Sequence, residues 1–287
     1  MNYYKRTADA LLKDLLDAFG AVLIEGPKWC GKTTTASQLA NSILRMQDPS
    51  MRDEYLVTAK TKPSILLNGD TPRLIDEWQD APMLWDAVRT TVDDRQIPGQ
   101  FILTGSNAVD KSQIHHSGAG RITRLRMLPM SLWESKESTG EVSLKELFNN
   151  PDYDIDGKMS KMSIEDLIFA ASRGGWPASL LARTPKAQLL VAKNYVQTIC
   201  LDDISGIDGK RRDAKLTSMI LRAYARNVST LVKKKSLIDD VISSGEVSCH
   251  TDTFDDYVSA LEKLFVIQNV SAWCPAIRSK TAIRSSV

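Results

Sequence analysis

The sequence predicts an α/β fold, a parallel sheet with helices on both faces, followed by a mainly helical second domain. Three observations predict it. Short apolar runs, AVLIEG (21–26), RLID (73–76) and FILT (101–104), alternate with stretches of helical periodicity, the signature of βαβ units. The polar, turn-rich stretch NNPDYDIDGKMSKMS (149–163) interrupts this alternation, and helical periodicity prevails almost exclusively beyond it. At 287 residues the chain is long enough for about two domains.

The elements follow in order. Leu11, Leu12, Leu15, Leu16 and Phe19 recur at helical spacing and predict a first helix ending at Gly20. AVLIEG reads as a buried strand, and a helix is expected over 31–45. Residues 46–63, polar and containing Pro49 and Pro63, read as loop, with a short strand at 64–67. RLID is a strand, Pro82 opens a helix reaching about residue 93, and FILT is a further buried strand. The expected domains are 1–148 and 163–287, joined by a linker at 149–162.

Composition excludes several classes. Hydrophobic residues at 43% and charged residues at 25% rule out wholesale disorder and collagen-like repetition. A net charge of +2 does not by itself point to nucleic acid. Cys30, Cys200, Cys249 and Cys274 form no CxxC pair, which argues against a zinc ribbon or a disulfide framework. No stretch reaches the ~18 apolar residues that span a bilayer, and the N-terminus lacks the apolar run of a signal peptide. The expectation is a cytoplasmic protein without a membrane partner.

GPKWCGKT (26–33) matches G-x-x-x-x-G-K-[ST], directly after a strand and opening a helix. In such a loop, Gly26, Pro27, Lys28, Trp29, Cys30, Gly31, Lys32, Thr33 and Thr34 wrap backbone N–H groups around phosphate oxygens. Lys32 would neutralise phosphate charge and Thr33 would place its hydroxyl on Mg²⁺. Cys30 reads first as a small side chain filling space; the alternative, beside Lys32 and a helix start, is a lowered pKa. Asp76 and Glu77 close the RLID strand. Alternation sends them in different directions, Asp76 toward Mg²⁺ and Glu77 toward a water attacking the γ-phosphate. Gln79 would orient that water or simply be exposed.

Thr104, Ser106 and Asn107 stand at another strand's C-terminal end, where ligands of open α/β sheets gather. Ser106 or Asn107 is the favoured γ-phosphate sensor. Arg121, Arg124 and Arg126 follow. Arg121 is the candidate transition-state arginine, while Arg124 and Arg126 share a strand face. His115 and His116 lack ligand spacing for a metal.

GPKWCGKT, LIDEWQDAP, FILTGSN and GRITRLRMLPMSLWE, in this order, resemble prokaryotic AAA-type P-loop ATPases with a C-terminal domain of unknown function. RGGWPASLL (173–181) resembles the Gly-Gly-x-Pro element of that second region. The resemblance covers roughly residues 1–275. It implies ATP with Mg²⁺ as cofactors, Lys32 and Thr33 as phosphate and Mg²⁺ residues, Asp76 and Glu77 as the acidic pair, and Ser106 as sensor. Arg121 matches the family's Gly-Arg segment. ATP in place of GTP rests on this resemblance. Such proteins continue past a winged-helix segment into a nuclease-like region, so this chain, ending at Val287, is expected to be shortened relative to them.

Residues 214–227, 236–242 and 253–265 suggest a winged-helix arrangement, with LFVIQNV (264–270) as a wing strand. The third helix carries Asp252, Asp255, Asp256 and Glu262 on its outward and leading positions, which repel phosphates. Lys233–Lys235 and Lys210–Arg212 are the basic clusters available for nucleic acid. Four functions follow: an ATPase that moves its helical domain, a nucleotide-dependent binding switch, a small-molecule kinase, and a DNA-associated regulator. The first is favoured, with an unknown protein partner and an open oligomeric state.

Overall fold

The computed structural model describes residues 3–105, 116–243 and 247–270. It divides into two compact units, 1–192 and 193–287. That division lies downstream of the expected boundary at residue 163, so the RGGWP element belongs to the first unit.

Helix α1 (Thr7–Ala18) precedes strand β1 (Ala21–Glu25). Leu12 and Leu16 are buried, whereas Leu11 faces outward. Gly20 joins the two because a Cβ there would lie 2.2 Å from Val92 Cγ1. Helix α2 (Lys32–Ala36) is short, in place of the helix expected over 31–45. Three consecutive threonines are poor helix formers, and Ser37 Oγ donates to Thr33 O, a back-bond that disfavours continuation. The chain instead forms β2 (Ser42–Arg45), which pairs with β3 (Arg73–Asp76). The expected loop at 46–63 contains helix α3 (Arg52–Thr61). Its apolar stripe is weak, only Ala59 being fully buried while Tyr55 and Leu56 rest on the core. The expected strand at 64–67 is a 3₁₀ turn, Pro63–Ile65, after which Leu66 and Leu67 are buried without strand pairing. Helix α4 (Met83–Arg95), β4 (Phe101–Gly105) and β5 (Ile122–Arg126) complete the core.

All pairings are parallel, in the order β2-β3-β4-β1-β5. The side-chain period of two splits the sheet into two buried faces. Leu23, Ile75 and Leu103 pack with Trp78, Leu84, Trp85 and Val88 on the α3–α4 side. Val22, Ile24, Leu74 and Ile102 pack with Leu12, Leu16, Cys30 and Ala36 on the α1–α2 side. Near-continuous apolar strands are what a sheet covered on both faces requires.

Beyond β5 the first unit is mostly turns and short helices: α5 (Leu144–Asn149), α6 (Ile164–Arg173) and α7 (Pro177–Leu181). Helix α8 (Pro185–Thr198) contains the division between the units. The second unit holds a π-helical segment Ile199–Asp203, then α9 (Ile204–Gly206), α10 (Ala214–Arg226), α11 (Lys234–Ile242) and α12 (Thr251–Lys263). Tyr224 and Phe254 stack at 6.4 Å in its core. The three expected helices are present, but LFVIQNV is not a wing strand. Phe265 adopts φ 58 and Val266 N donates to Leu261 O, while Phe265 N donates to Glu262 O. That is a Schellman helix stop, and among the described residues only an isolated bridge at Val270 follows.

Arg212 organises this unit. It pairs with Asp208 and Asp256 and donates to Ile204 O. The Arg212 hydrogen bond holds the Asp208 carboxyl at about 2, below its ordinary 3.8. A depressed carboxyl contributes stability above its unfolded pKa and loses it as pH falls through the folded value. Urea unfolding of the wild type is therefore expected to lose stability as pH falls from 3.8 toward about 2, and Asp208→Asn is expected to flatten that loss.

Candidate nucleotide site

The 26–33 loop leaves the C-terminal end of β1, which lies between β4 and the edge strand β5. It is packed tightly from outside. A Cβ on Gly26 would lie 2.0 Å from Met127 O, and one on Gly31, at φ 99, would lie 3.3 Å from Arg6 Nη1. Glycine is required where backbone approaches this closely. Pro27 is buried and Trp29 is half exposed with φ 63, while Thr34 points outward. Lys32 is buried, its Nζ donating to Gly26 O at 3.0 Å and Pro27 O at 2.8 Å. Burial lowers the Lys32 pKa, opposed by Cys30, Glu77 and Asp76.

Cys30 is fully buried against Met127 O. Burial pushes its thiol up, outweighing the Lys32 and Arg6 charges, which fits the space-filling side chain and not the alternative of a lowered pKa. Cys200 and Cys249 are likewise free and buried; Cys274 lies outside the described residues.

The acidic pair sits beside the loop because of the sheet order. Asp76 and Thr104 are in register across β3 and β4, on the same face as Leu74 and Ile102 and hence on the α2 side. Asp76 Oδ1 accepts from Thr33 Oγ1 at 2.7 Å and from Thr104 Oγ1 at 2.6 Å. Glu77 does not continue the strand. At φ 55 it caps a 3₁₀ turn, Trp78–Asp80, a left-handed conformation costly for a residue with a Cβ. Gln79 Nε2 donates to Glu77 Oε2, so Gln79 is neither merely exposed nor free of the acidic pair. A Cβ on Gly105 would lie 2.8 Å from Gln79 Oε1.

Hydroxyl and carboxylate oxygens are the donor set that suits Mg²⁺, which keeps several waters and needs few protein ligands. Thr33 and Asp76 provide one of each. Among the described residues, no cluster of three or more His, Cys, Asp or Glu side chains gathers to hold a metal, nor is any helix long and apolar enough to cross a membrane.

Arg121 is not in this site within its own chain. It precedes Ile122, which pairs with Ala21 at the N-terminal edge of the sheet, and its Nε donates to Asp93 at 2.7 Å. Four strand steps, about 13 Å, separate that edge from the loop. Sequence proximity to Gly120 suggests an approach to phosphate; the register overrules it. Arg126, at the loop end of β5 in register with Glu25, is the arginine that strand pairing brings nearest. Ser106, Asn107 and His115 lie outside the described residues.

Three contacts of the site join residues remote in the chain. Thr104 holds Asp76 directly. Arg6 reaches the loop carbonyl of Cys30. Trp176 packs on the α1–α2 core, and Pro177 lies beside Gly31, where an added Cβ would be 3.6 Å from Pro177 Cγ. None follows from local spacing, since each partner is remote in the chain.

An AAA domain family model matches residues 18–136, and a domain of unknown function (DUF8612) matches residues 164–287. The uncharacterized proteins Rv2008c of Mycobacterium tuberculosis and Mb2031c of Mycobacterium bovis are each 24% identical over 279 residues, covering 94% of this chain and 54% of theirs. The chain thus spans about half the length of the curated relatives it matches. A point mutant of RuvB from Thermotoga maritima is 17% identical with a TM-score of 0.35, covering 96% of this chain and 90% of that one. A DNA replication initiation factor is 11% identical with a TM-score of 0.26, covering 90% and 91%. These two likenesses are too distant to bear on the chemistry.

Gly26→Ala drives a methyl into Met127 O, an overpacking that is expected to cost about 1–3 kcal/mol. Urea denaturation of that variant against wild type checks it.

Proposed function

We propose, on the premise that the chain is an AAA-type P-loop protein carrying a C-terminal domain of unknown function, that it binds ATP with Mg²⁺ and hydrolyses it to ADP and phosphate. The observation that carries this reading is the contact between Thr33 of the loop and Asp76 of β3 at 2.7 Å. It joins a phosphate-loop hydroxyl to a carboxylate that the sequence places 43 residues away. Magnesium, when bound there, supplies neutralisation of phosphate charge.

The protein's own groups have separate tasks. Lys32 now satisfies its ammonium on Gly26 O and Pro27 O and offers that charge to phosphate oxygens. Thr33 and Asp76 supply the oxygen ligands, and Thr104 holds Asp76 in place. Glu77, next to Asp76 but turned out of the strand, accepts a proton from water as it attacks the γ-phosphate. Gln79 orients the Glu77 carboxylate. Ser106 is the γ-phosphate sensor that the family resemblance implies.

Of the helical region expected from residue 163, beyond the linker at 149–162, the part from residue 193 on would be what hydrolysis moves, in a cytoplasmic protein acting on a protein partner. A DNA-directed role has little support. Lys210 and Arg212 pair with Asp256, Lys234 pairs with Asp255, and Arg226 pairs with Asp240. Lys210, Arg212 and Lys234 of the two clusters are thereby met by Asp255 and Asp256, acids that also repel phosphates from α12.

Lys32→Ala is expected to abolish Mg²⁺-dependent ATP uptake in calorimetry. Glu77→Gln is expected to keep uptake and to lower phosphate release by about 10²–10⁴-fold. Uptake without phosphate release in the wild type would favour a binding switch; a phosphorylated acceptor would favour a kinase.

A further inference from the structure

We infer that Arg6 is a positioning residue for the phosphate loop, holding the Cys30–Gly31 peptide so that the Gly31 N–H faces the ligand. This inference rests on the nucleotide reading above and adds to it a residue outside the loop and the acidic pair.

Arg6 precedes α1, and its side chain is only 4% exposed. All three kinds of guanidinium nitrogen are used. Nη1 donates to Cys30 O at 2.7 Å, Nη2 to Leu128 O at 2.7 Å, and Nε to Glu134 Oε1 at 3.1 Å. Glu134 is satisfied in turn. Its Oε1 accepts from Thr7 N and Thr7 Oγ1, and its Oε2 accepts from Ser131 N and Ser131 Oγ. Burial raises the Glu134 pKa, but the backbone hydrogen bonds of Ser131 and Thr7 and the Arg6 charge outweigh it and hold the carboxyl below the usual range. Glu134 is therefore held as the carboxylate, with partners on both of its oxygens and on each guanidinium nitrogen of Arg6, the condition under which a buried ion pair specifies one geometry.

A trans peptide points its N–H opposite to its C=O. Cys30 O is turned outward to Arg6, so the N–H of Gly31 is turned to the loop's inner side. Gly31 sits at the start of α2, where the first N–H groups lack intrahelical acceptors. With φ 99 and no side chain, Gly31 cannot hold that peptide orientation by itself. Arg6 does so from behind. Its charge is matched by Glu134, so its contribution is aim and not added field. The same N-terminal segment has a second tie, Tyr3 OH lying 2.9 Å from Thr35 Oγ1 on α2.

A single ammonium cannot meet three acceptors in one plane as the guanidinium does. Arg6→Lys and Arg6→Ala are therefore expected to raise the Kd for Mg-ATP by about 10–100-fold, the worth of one charge-assisted hydrogen bond. If turnover is measured, KM is expected to rise with kcat changed much less. Millimolar guanidinium is expected to restore part of the affinity of Arg6→Ala. A purely structural residue would lower the melting temperature without nucleotide and leave the Kd of the folded protein, and the guanidinium response, unmoved. Wild-type Kd in folded Arg6→Lys overturns the inference, and this variant, which keeps the charge and stem, decides the matter should Arg6→Ala not fold. Absence of ATP uptake by the wild type would instead overturn the nucleotide reading. Uptake lost in Lys32→Ala but kept in both Arg6 variants would overturn the Arg6 inference alone.

Discussion

Asp76 accepts hydrogen bonds from Thr33 and Thr104 on one oxygen, and this junction depends on β4 lying between β1 and β3. Register sets Thr104 beside Asp76, and side-chain alternation sends both to the face where α2 begins. Moving the pairing by one residue would turn Asp76 into the α3–α4 core, where a carboxylate lacks both partners. The buried Val22, Ile24, Leu74 and Ile102 thus serve the site as well as stability, because their burial prevents that slip.

The loop itself is shaped from both sides. Inside, Lys32 occupies carbonyls that the loop turns inward. Outside, Met127 O approaches Gly26 and Arg6 approaches Gly31 so closely that each position excludes a side chain or forces its neighbour to yield. Backbone N–H groups bind anions well only when their direction is set beforehand, and segments distant in sequence set it here. The N-terminal segment and the 127–134 segment meet behind the loop through Arg6 and Glu134. RGGWP joins them, with Gly175 O accepting from Met130 N at 2.7 Å. An element that the sequence assigns to the second region therefore packs with the first unit.

In the second unit the same residue types have a different use. Asp208, Asp255 and Asp256 engage Lys210, Arg212 and Lys234, linking the segment before α10 and the start of α11 to α12. A basic run in the sequence reads as a surface for phosphate; here carboxylates one helix away meet much of it.

The loop motif, the acidic pair, the buried strands and the helical second half were legible in the sequence because each rests on local order: a glycine spacing, an apolar run, a periodicity. So were α4 and the three later helices. What neighbours in the chain cannot set was left to the tertiary structure. Ile43 and Leu44 suit a helix or a strand equally, and pairing with β3 chose the strand. LFVIQNV reads as an extended run, and a left-handed helix stop at Phe265 decides otherwise. Arg121 stood next to a glycine-rich approach, yet parallel register put it at the opposite edge of the sheet. Arg6 carried no signal at all, since its partner Glu134 is 128 residues away and only the folded chain brings their charges together.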